Sequence, residues 1–280
     1  TPFGQDTADF TFWVRAIDNN NVTDPTPAHL KYPVKNSPPT IQFLNGANNP
    51  LQTFPAVKFY WKASDPDGDE NLNHIEVVWN DTTQPLYTLD IAATAATFEA
   101  TDLSVLNPSC NVYTNNSLSP LPLSCSGMVL NDTNVLYIRS VDDAGATSNF
   151  IGSYKIYIKQ PHGNLLLVDG YGNGNNSTEN FFVSQLQTAG ATTFDTLKIF
   201  QQSGGNYTQL APDNLTQSRI FKMFDKIVWF SNDAANSLGI GQRCLNDFFN
   251  NNGKLLMSCY INGTFDEQST FLDYTPAQSL

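Results

Sequence analysis

Leu136-Tyr137-Ile138-Arg139-Ser140-Val141-Asp142 reads as an extended segment: Leu136, Ile138 and Ser140 fall on one side, Tyr137, Arg139 and Val141 on the other. That period of two marks a strand. The phrase has an earlier copy, Phe12-Trp13-Val14-Arg15-Ala16-Ile17-Asp18, whose Arg15 and Asp18 recur 124 positions on as Arg139 and Asp142. Such a spacing suits one β-sandwich module plus a linker. Only residues 1–11 stand ahead of the first copy. The strands that should precede it do not fit there, so the chain is expected to open near the end of a module and to be a piece of a longer, modular protein.

Working outward, the chain divides into three segments. Residues 1–35 carry the alternating Phe10, Phe12, Val14 and Ala16, a polar turn at Asp18-Asn19-Asn20-Asn21, and a second extended run through Leu30, Tyr32 and Val34. This predicts a β-hairpin, the C-terminal end of a truncated sandwich. Asn36-Ser37-Pro38-Pro39 follows as a linker, since a double proline does not sit inside a central strand. Residues 36–160 predict an antiparallel β-sandwich with strands at 40–43, 56–63, 74–79, 86–90, 97–100, 135–141 and 153–158. The stretch 102–126 between the fifth and sixth is expected to be a loop-like insertion. Residues 161–280 change period: strands at 164–168, 194–200, 226–230 and 254–259 alternate with helices at 179–189, 214–224 and 242–251. Continuous apolar strands between helices imply a parallel sheet covered on both faces. Gly190 and Gly253 stand where a left-handed residue would end a helix.

Composition removes some function classes. The formal net charge of −12, with only 14 Lys and Arg, argues against nucleic acid as partner. No apolar run approaches the roughly 20 residues of a membrane span, so no membrane insertion is expected. Cys110 and Cys125 flank a loop-like stretch and are predicted to form a disulfide, which would stabilise the fold by about 3 kcal/mol. Cys244 and Cys259 are a second candidate pair, with two buried thiols as the equal alternative. Asn-x-Ser/Thr triplets at Asn21, Asn80, Asn115, Asn131, Asn175, Asn176, Asn206, Asn214 and Asn262 are candidate glycosylation sites. With few lysines and a candidate bridge, they suit an extracellular or cell-surface chain.

The acidic residues form the main candidate metal site. Asp65-Pro66-Asp67-Gly68-Asp69 lies between the second and third strands of the predicted sandwich and Asp142-Asp143 between the last two, and these connections emerge at the same end. Asp65, Asp67, Asp69, Asp142 and Asp143 would supply the hard oxygen ligands that Ca²⁺ requires. The alternative is a plain turn, with aspartates bonding to nearby backbone amides.

Trp61-Lys62-Ala63-Ser64-Asp65-Pro66-Asp67-Gly68-Asp69, the Ile75-Glu76-Val77 strand and the Ile138-to-Ser148 ending resemble the fibronectin type III and cadherin-like modules of large bacterial surface proteins. The resemblance implies a spacer, an adhesive element or a glycan-facing domain. Leu165-Leu166-Leu167-Val168-Asp169-Gly170, the run Phe224 to Ser231, and the run Asn252 to Cys259 resemble the class I glutamine amidotransferase-like fold, a flavodoxin-like α/β family, in its non-catalytic relatives. In the catalytic members a cysteine at the place near Cys259 is activated by a downstream His–Glu pair. Here the histidines are His29, His74 and His162, none of which follows Cys259. Catalysis of that type is not expected. The C-terminal edge of an open α/β sheet remains the default ligand position, where Asp169, Tyr171, Asn232, Asp233 and Tyr260 are the candidates. The sequence thus predicts a non-catalytic secreted or surface protein with a structural or adhesive role, its partners other surface proteins, itself or glycans. A self-assembling layer or fibre is the specific form of that expectation; a glycan-binding module or a hydrolase at the sheet edge is the alternative.

Overall fold

The computed structural model describes residues 7–44, 49–171, 176–199, 209–232 and 234–260. The chain is mostly β, with several antiparallel sheets and one parallel sheet. β1 (Thr7–Val14) and β2 (Ala28–Lys35) pair antiparallel, from Thr7 opposite Lys35 to Val14 opposite Ala28. Directly facing residues share a side, so Phe10, Phe12, Val14, Leu30, Tyr32 and Val34 gather on one face of this ribbon. On the other face Trp13 stacks on His29 with ring centroids 4.5 Å apart.

The next eleven strands are β3 (Thr40–Leu44), β4 (Gln52–Thr53), β5 (Ala56–Ser64), β6 (Leu72–Trp79), β7 (Tyr87–Asp90), β8 (Ala95–Ala100), β9 (Cys110–Thr114), β10 (Asp132–Asn134), β11 (Leu136–Asp142), β12 (Ile151–Gly152) and β13 (Ile156–Ile158). They form the antiparallel sheets β12-β11-β6-β7 and β3-β5-β8-β9, and a small third sheet, β10-β13-β4. The two larger sheets share one buried core, built from Phe59, Trp61, Phe98 and Val112 of one and Ile75, Trp79, Leu136 and Ile138 of the other. Trp79 lies edge-on to Phe98 at 5.3 Å and to Phe59 at 5.9 Å. Such aromatic pairs add about 0.5–1.5 kcal/mol beyond the area they bury.

Two expectations for this region change. Residues 110–114 are not loop but an edge strand, because Cys110 and Val112 both turn inward to full burial. Of the stretch 153–158 only β13 is strand, and it joins β10 and β4, while the partner of β11 is β12 just ahead of that stretch.

The repeated phrase is also repeated as structure. Isolated antiparallel bridges join Ile17 to Thr23 and, 124 positions on, Val141 to Thr147. Asp18 Oδ1 accepts from Val22 N at 2.8 Å, and Asp142 Oδ1 from Ala146 N at 2.7 Å. Asp24 N donates to Ala16 O at 2.9 Å, as Ser148 N does to Ser140 O. Both loops turn on a left-handed residue, Asn21 (φ 59°) in the first and Gly145 (φ 84°) in the second. Asn tolerates that conformation better than most residues other than Gly.

The remaining elements are β14 (Leu165–Gly170), α1 (Ser177–Thr188), β15 (Asp195–Lys198), α2 (Asn214–Phe221), β16 (Lys226–Ser231), α3 (Ala234–Cys244), α4 (Asn246–Asn250) and β17 (Lys254–Cys259). Their strands are parallel in the order β15-β14-β16-β17, and every residue of β14 is buried. The single helix expected at 242–251 is instead two, α3 and α4, and it begins eight residues earlier than the pattern suggested. Gly190 ends α1 in the left-handed region as expected (φ 88°). Gly253 does not: Asn252 takes that conformation (φ 62°), and a Cβ on Gly253 would meet the Phe248 ring at 2.5 Å.

Packing runs across the connection at residue 160. Phe54 and Ala56 belong to the core beneath the parallel sheet, alongside Leu166, Phe221 and Trp229. The outward face of β5 and β8 meets α2, with Lys58 Nζ 3.5 Å from Asp213 and Thr97 Oγ1 3.3 Å from Thr216 Oγ1. Arg219 donates to Glu99 at 2.8 Å and lies 3.5 Å over the Tyr113 ring. Among the described residues, no helix is long and apolar enough to cross a membrane.

Candidate functional site

The predicted aspartate site is assembled by two loops and a linker. The β5–β6 loop closes on its own carboxylates: Asp67 N donates to Asp65 Oδ1 at 2.8 Å, and Ser64 Oγ and Asp65 N both donate to Asp69 Oδ1 at 2.9 Å. Those two donors hold the exposed Asp69 carboxyl below its ordinary range. Gly68 makes the turn with φ 120°, a backbone region that favours glycine. The loop after β11 is tied to it where Asp143 N donates to Asn71 O at 2.8 Å and Asn73 Nδ2 to Asp143 Oδ1 at 2.7 Å.

The linker after the hairpin is then caught by both loops. Asn36, which is buried, donates through Nδ2 to Asp142 Oδ2 at 2.6 Å, and Ser37 N donates to Asp67 Oδ2 at 2.6 Å. Asn36 and Ser37 were read only as linker, and Asn71 and Asn73 were not singled out by sequence. Nothing in a string of small polar residues says that a linker will be gripped from 30 and 106 positions away.

All five carboxylates have at least one oxygen accepting from a neighbouring N–H, and Asp65 does so through Oδ1. Its Oδ2 is buried with no hydrogen-bond partner, and the residue is only 5% exposed. Burial, and after it the charges of Asp142, Asp67 and Asp69, raise the Asp65 carboxyl above its ordinary range against the pull of the Asp67 amide. Among the described residues no group of three or more His, Cys, Asp or Glu side chains is gathered so as to hold a metal ion. In this conformation the aspartates act as turn and linker acceptors, while the Asp65 Oδ2 atom is the feature that suits a cation.

The second candidate place is the C-terminal edge of the parallel sheet. Register aligns Asp169 with Phe230, Gly170 with Ser231, and Ser231 with Cys259. Asn232 and Tyr260 therefore follow strand ends at the same edge as Asp169 and Tyr171. Asn232 is exposed and Tyr260 is 67% exposed; Asp233 lies outside the described residues. Asp169 is buried, its Oδ1 accepting from Tyr171 N at 2.8 Å. Two charged residues that the sequence did not single out stand beside it. Lys198 Nζ bonds Glu179 Oε2 at 2.6 Å and Asn176 Oδ1 at 3.3 Å, drawing α1 onto the end of β15.

Burial, with a smaller contribution from Glu179, raises the Asp169 carboxyl above its ordinary value against the Tyr171 amide and Lys198. A carboxyl raised on folding binds its proton more tightly in the folded chain. Its contribution to stability is thus fully present below the unfolded value and is lost as pH rises through the folded one. Asp169→Asn keeps the acceptor for Tyr171 N and removes the buried charge. It is expected to raise stability at pH 7 by about 1 kcal/mol, a few degrees in Tm, and to flatten the decline that begins just above the unfolded value. Calorimetry from pH 4 to 7 checks this, and a lower Tm for the variant at pH 7 would show that the charge is needed.

All four cysteines are free thiols in this structure. Cys110 and Cys125 are direct antiparallel partners, each N–H bonding the other's carbonyl, at 2.7 and 2.9 Å. The expected bridge is not formed: Cys110 Sγ donates to Met128 Sδ at 3.7 Å and Cys125 Sγ to Ser126 O at 3.6 Å. Burial pushes the Cys125 thiol up to about 12 and raises that of Cys110 as well. Cys244 and Cys259 are not bridged either. Cys244 is buried, with Sγ 3.8 Å from Asn214 Oδ1, while Cys259 ends β17, half-buried.

Several sequon asparagines have a backbone reason to be asparagine. Asn21, Asn80, Asn115 and Asn131 are all left-handed. The Nδ2 atom that a glycan would occupy is already bonded in three of them: Asn80 to Gly127 O, Asn115 to Ala92 O and Asn131 to Gln160 Oε1. Asn176 and Asn214 flank helix starts, accepting from Lys198 and Cys244. Asn175, Asn206 and Asn262 lie outside the described residues. No protein-family model matches the chain, and no curated protein matches it in sequence.

Proposed function

We propose that this chain is a non-catalytic module of a secreted or cell-surface protein, with a structural or adhesive role. The observation that carries the reading is the use made of the aspartates: they fasten the Asn36-Ser37 linker to the ends of β5 and β11 rather than converging on an open cleft. A connection gripped at two points transmits orientation and load from one unit to the next, which is the task of a spacer or adhesive array. In finer terms, we read residues 36–160 as a fibronectin III- or cadherin-like sandwich and residues 161–280 as a flavodoxin-like domain without a catalytic triad. The partly buried contact through Arg219, Glu99, Lys58 and Asp213 supports a stiff pair of units, and self-assembly into a layer or fibre is the specific form of the role.

The test is twofold. Chain displayed on beads is expected to show no turnover of glycan or peptide hydrolase substrates, and electron microscopy with size-exclusion chromatography is expected to show association across salt and Ca²⁺ conditions. Hydrolysis abolished by Asp169→Asn would overturn the non-catalytic reading, and monomers under every condition would overturn self-assembly.

A second reading of the junction, favoured by the Asp65 Oδ2 atom, is a weak calcium site of the millimolar class used by extracellular modules. Asp65 and Asp142 would hold the ion and Ca²⁺ would neutralise their mutual repulsion. At 5 mM Ca²⁺ and a Kd of about 1 mM, mass action gives about 1 kcal/mol of stabilisation, a rise of about 2–4 °C in Tm. Asp65→Asn is expected to abolish that rise. An unchanged Tm for the wild type on adding Ca²⁺ would leave the aspartates as turn acceptors only.

A further inference from the structure

We propose that the cavity between the start of α2 and the last turns of α3 binds a small organic carboxylate, an apolar ring or branched chain bearing a single negative charge. The cavity measures about 200 Å³. An apolar cavity of about 150 Å³ already holds benzene, so a six-membered ring fits this one. Leu210, Ala211, Pro212, Ile240 and Cys244 line it, and of these all but Pro212 are buried. Such walls favour an apolar body. The site lies apart from the aspartate loops, and its ligand neither requires nor weakens the structural role proposed above.

The polar groups of the lining point to the charge. Gln217 is 1% exposed, and its Oε1 accepts from Ala211 N at 3.0 Å. Because that N–H only donates, the orientation of the Gln217 amide is fixed, and Nε2 is left as a donor. Nε2 is buried and has no hydrogen-bond partner. A buried donor left unpaired is costly, and an acceptor on a bound molecule accounts for it. Arg243, on the rim, is exposed and forms no ion pair among the described residues. In a chain with 26 acidic residues against 14 basic ones, a guanidinium without a carboxylate has capacity for an external anion. Its place is defined as well: Nη1 lies 3.3 Å from where a Cβ on Gly239 would stand, so the glycine one turn back leaves it room.

Asp213, the acid on this lining, is already committed. Its Oδ1 accepts from Leu215 N at 3.0 Å and from Thr216 N at 3.2 Å, while Oδ2 accepts from Thr216 Oγ1 at 2.7 Å and lies 3.5 Å from Lys58 Nζ. These contacts occupy the lone-pair sites of both oxygens. Asn214 Oδ1 likewise accepts from Cys244 Sγ at 3.8 Å. A ligand ammonium or a row of hydroxyls therefore meets acceptors that are in use, which disfavours amines, amino acids and sugars. A carboxylate meets the Gln217 amide and a guanidinium whose fork matches its two oxygens.

The probe is benzoate, titrated into the full chain and followed by the proton–nitrogen NMR signals of the Gln217 side-chain amide, Ala211 and Ile240. Saturable shifts of all three are expected. Benzamide and benzylamine, which keep the ring without the negative charge, are expected to bind at least about tenfold more weakly, the effect of losing a charged hydrogen bond. Acetate, which keeps the charge without the ring, is expected to be weaker by a similar factor. Arg243→Gln, a change at an exposed and unpaired side chain, is expected to weaken benzoate at least about tenfold while the Ala211 and Ile240 signals of the free chain stay in place. Shifts that do not saturate would overturn the proposal. Equal binding of benzoate and benzamide, or full benzoate affinity in Arg243→Gln, would also overturn it, since the cavity would then be an apolar hollow that recognises no charge. Acetate binding as tightly as benzoate would overturn the assignment of an apolar body.

Discussion

Phe54→Ala is expected to cost about 3–5 kcal/mol and to split one thermal transition into two. Phe54 is 1% exposed and stands edge-on to Phe224 at 5.1 Å, with Lys159 Nζ 4.9 Å over its ring. It precedes β5 in sequence yet packs in the core beneath the parallel sheet, so it ties the antiparallel sheets to the parallel one. Truncation would leave a cavity that Ile227 and Phe224, held by their own strand and turn, do not collapse to fill. The polar contacts at Arg219 and Lys58 would remain, but charged pairs that are largely desolvated are weak sources of net stability. With the hydrophobic link gone, the antiparallel sheets and the parallel sheet should melt separately. Differential scanning calorimetry checks this, and a single transition with a small fall in Tm would show that Phe54 is not the tie between them.

Asp142→Ala is expected to lower stability by about 2–4 kcal/mol, because it leaves two donors, Ala146 N and the buried Asn36 amide, without their acceptor. The repeat provides an internal control. Asp18 closes the same loop in the first copy, accepting from Asn20 N and Val22 N, but it is exposed and grips no linker. Asp18→Ala is therefore expected to cost under about 1 kcal/mol, as surface polar changes usually do. Urea unfolding of both variants measures the difference. Equal losses would mean that loop closure alone, rather than the hold on Asn36, gives Asp142 its importance.

Much of the fold was legible in the sequence because period and turn chemistry are local. The strands around Trp61, Val77 and Ile138, the hairpin and the parallel β14-β16-β17 run all carry unbroken alternation or continuous apolar stretches. β9 was not legible, since an edge strand of five residues beside Pro108 and Asn115 offers only Cys110 and Val112 as an inward pair. The α3–α4 break was hidden for a related reason. Ala234 to Gly241 is rich in small and polar residues, so its helical period carried little apolar signal. The candidate sites were legible as residue types but not as partners. Asp65 to Asp69 and Asp142 were visible, whereas Asn36 and Ser37, which give those aspartates their use, come together with them only in the folded chain. Lys198 and Glu179 beside Asp169 were likewise invisible, because their pairing bridges a helix start and a strand end.

The most direct measurement of the central claim, that the aspartate loops fasten the linker between hairpin and body, is the amide exchange rate of Ser37 in the full chain. Its N–H donates to Asp67 Oδ2, so exchange is expected to be slowed well below that of a free peptide and to recover at least tenfold in Asp67→Ala, a loss of about 1.4 kcal/mol. Exchange of Ser37 in the wild type at the rate of an unprotected peptide would contradict it.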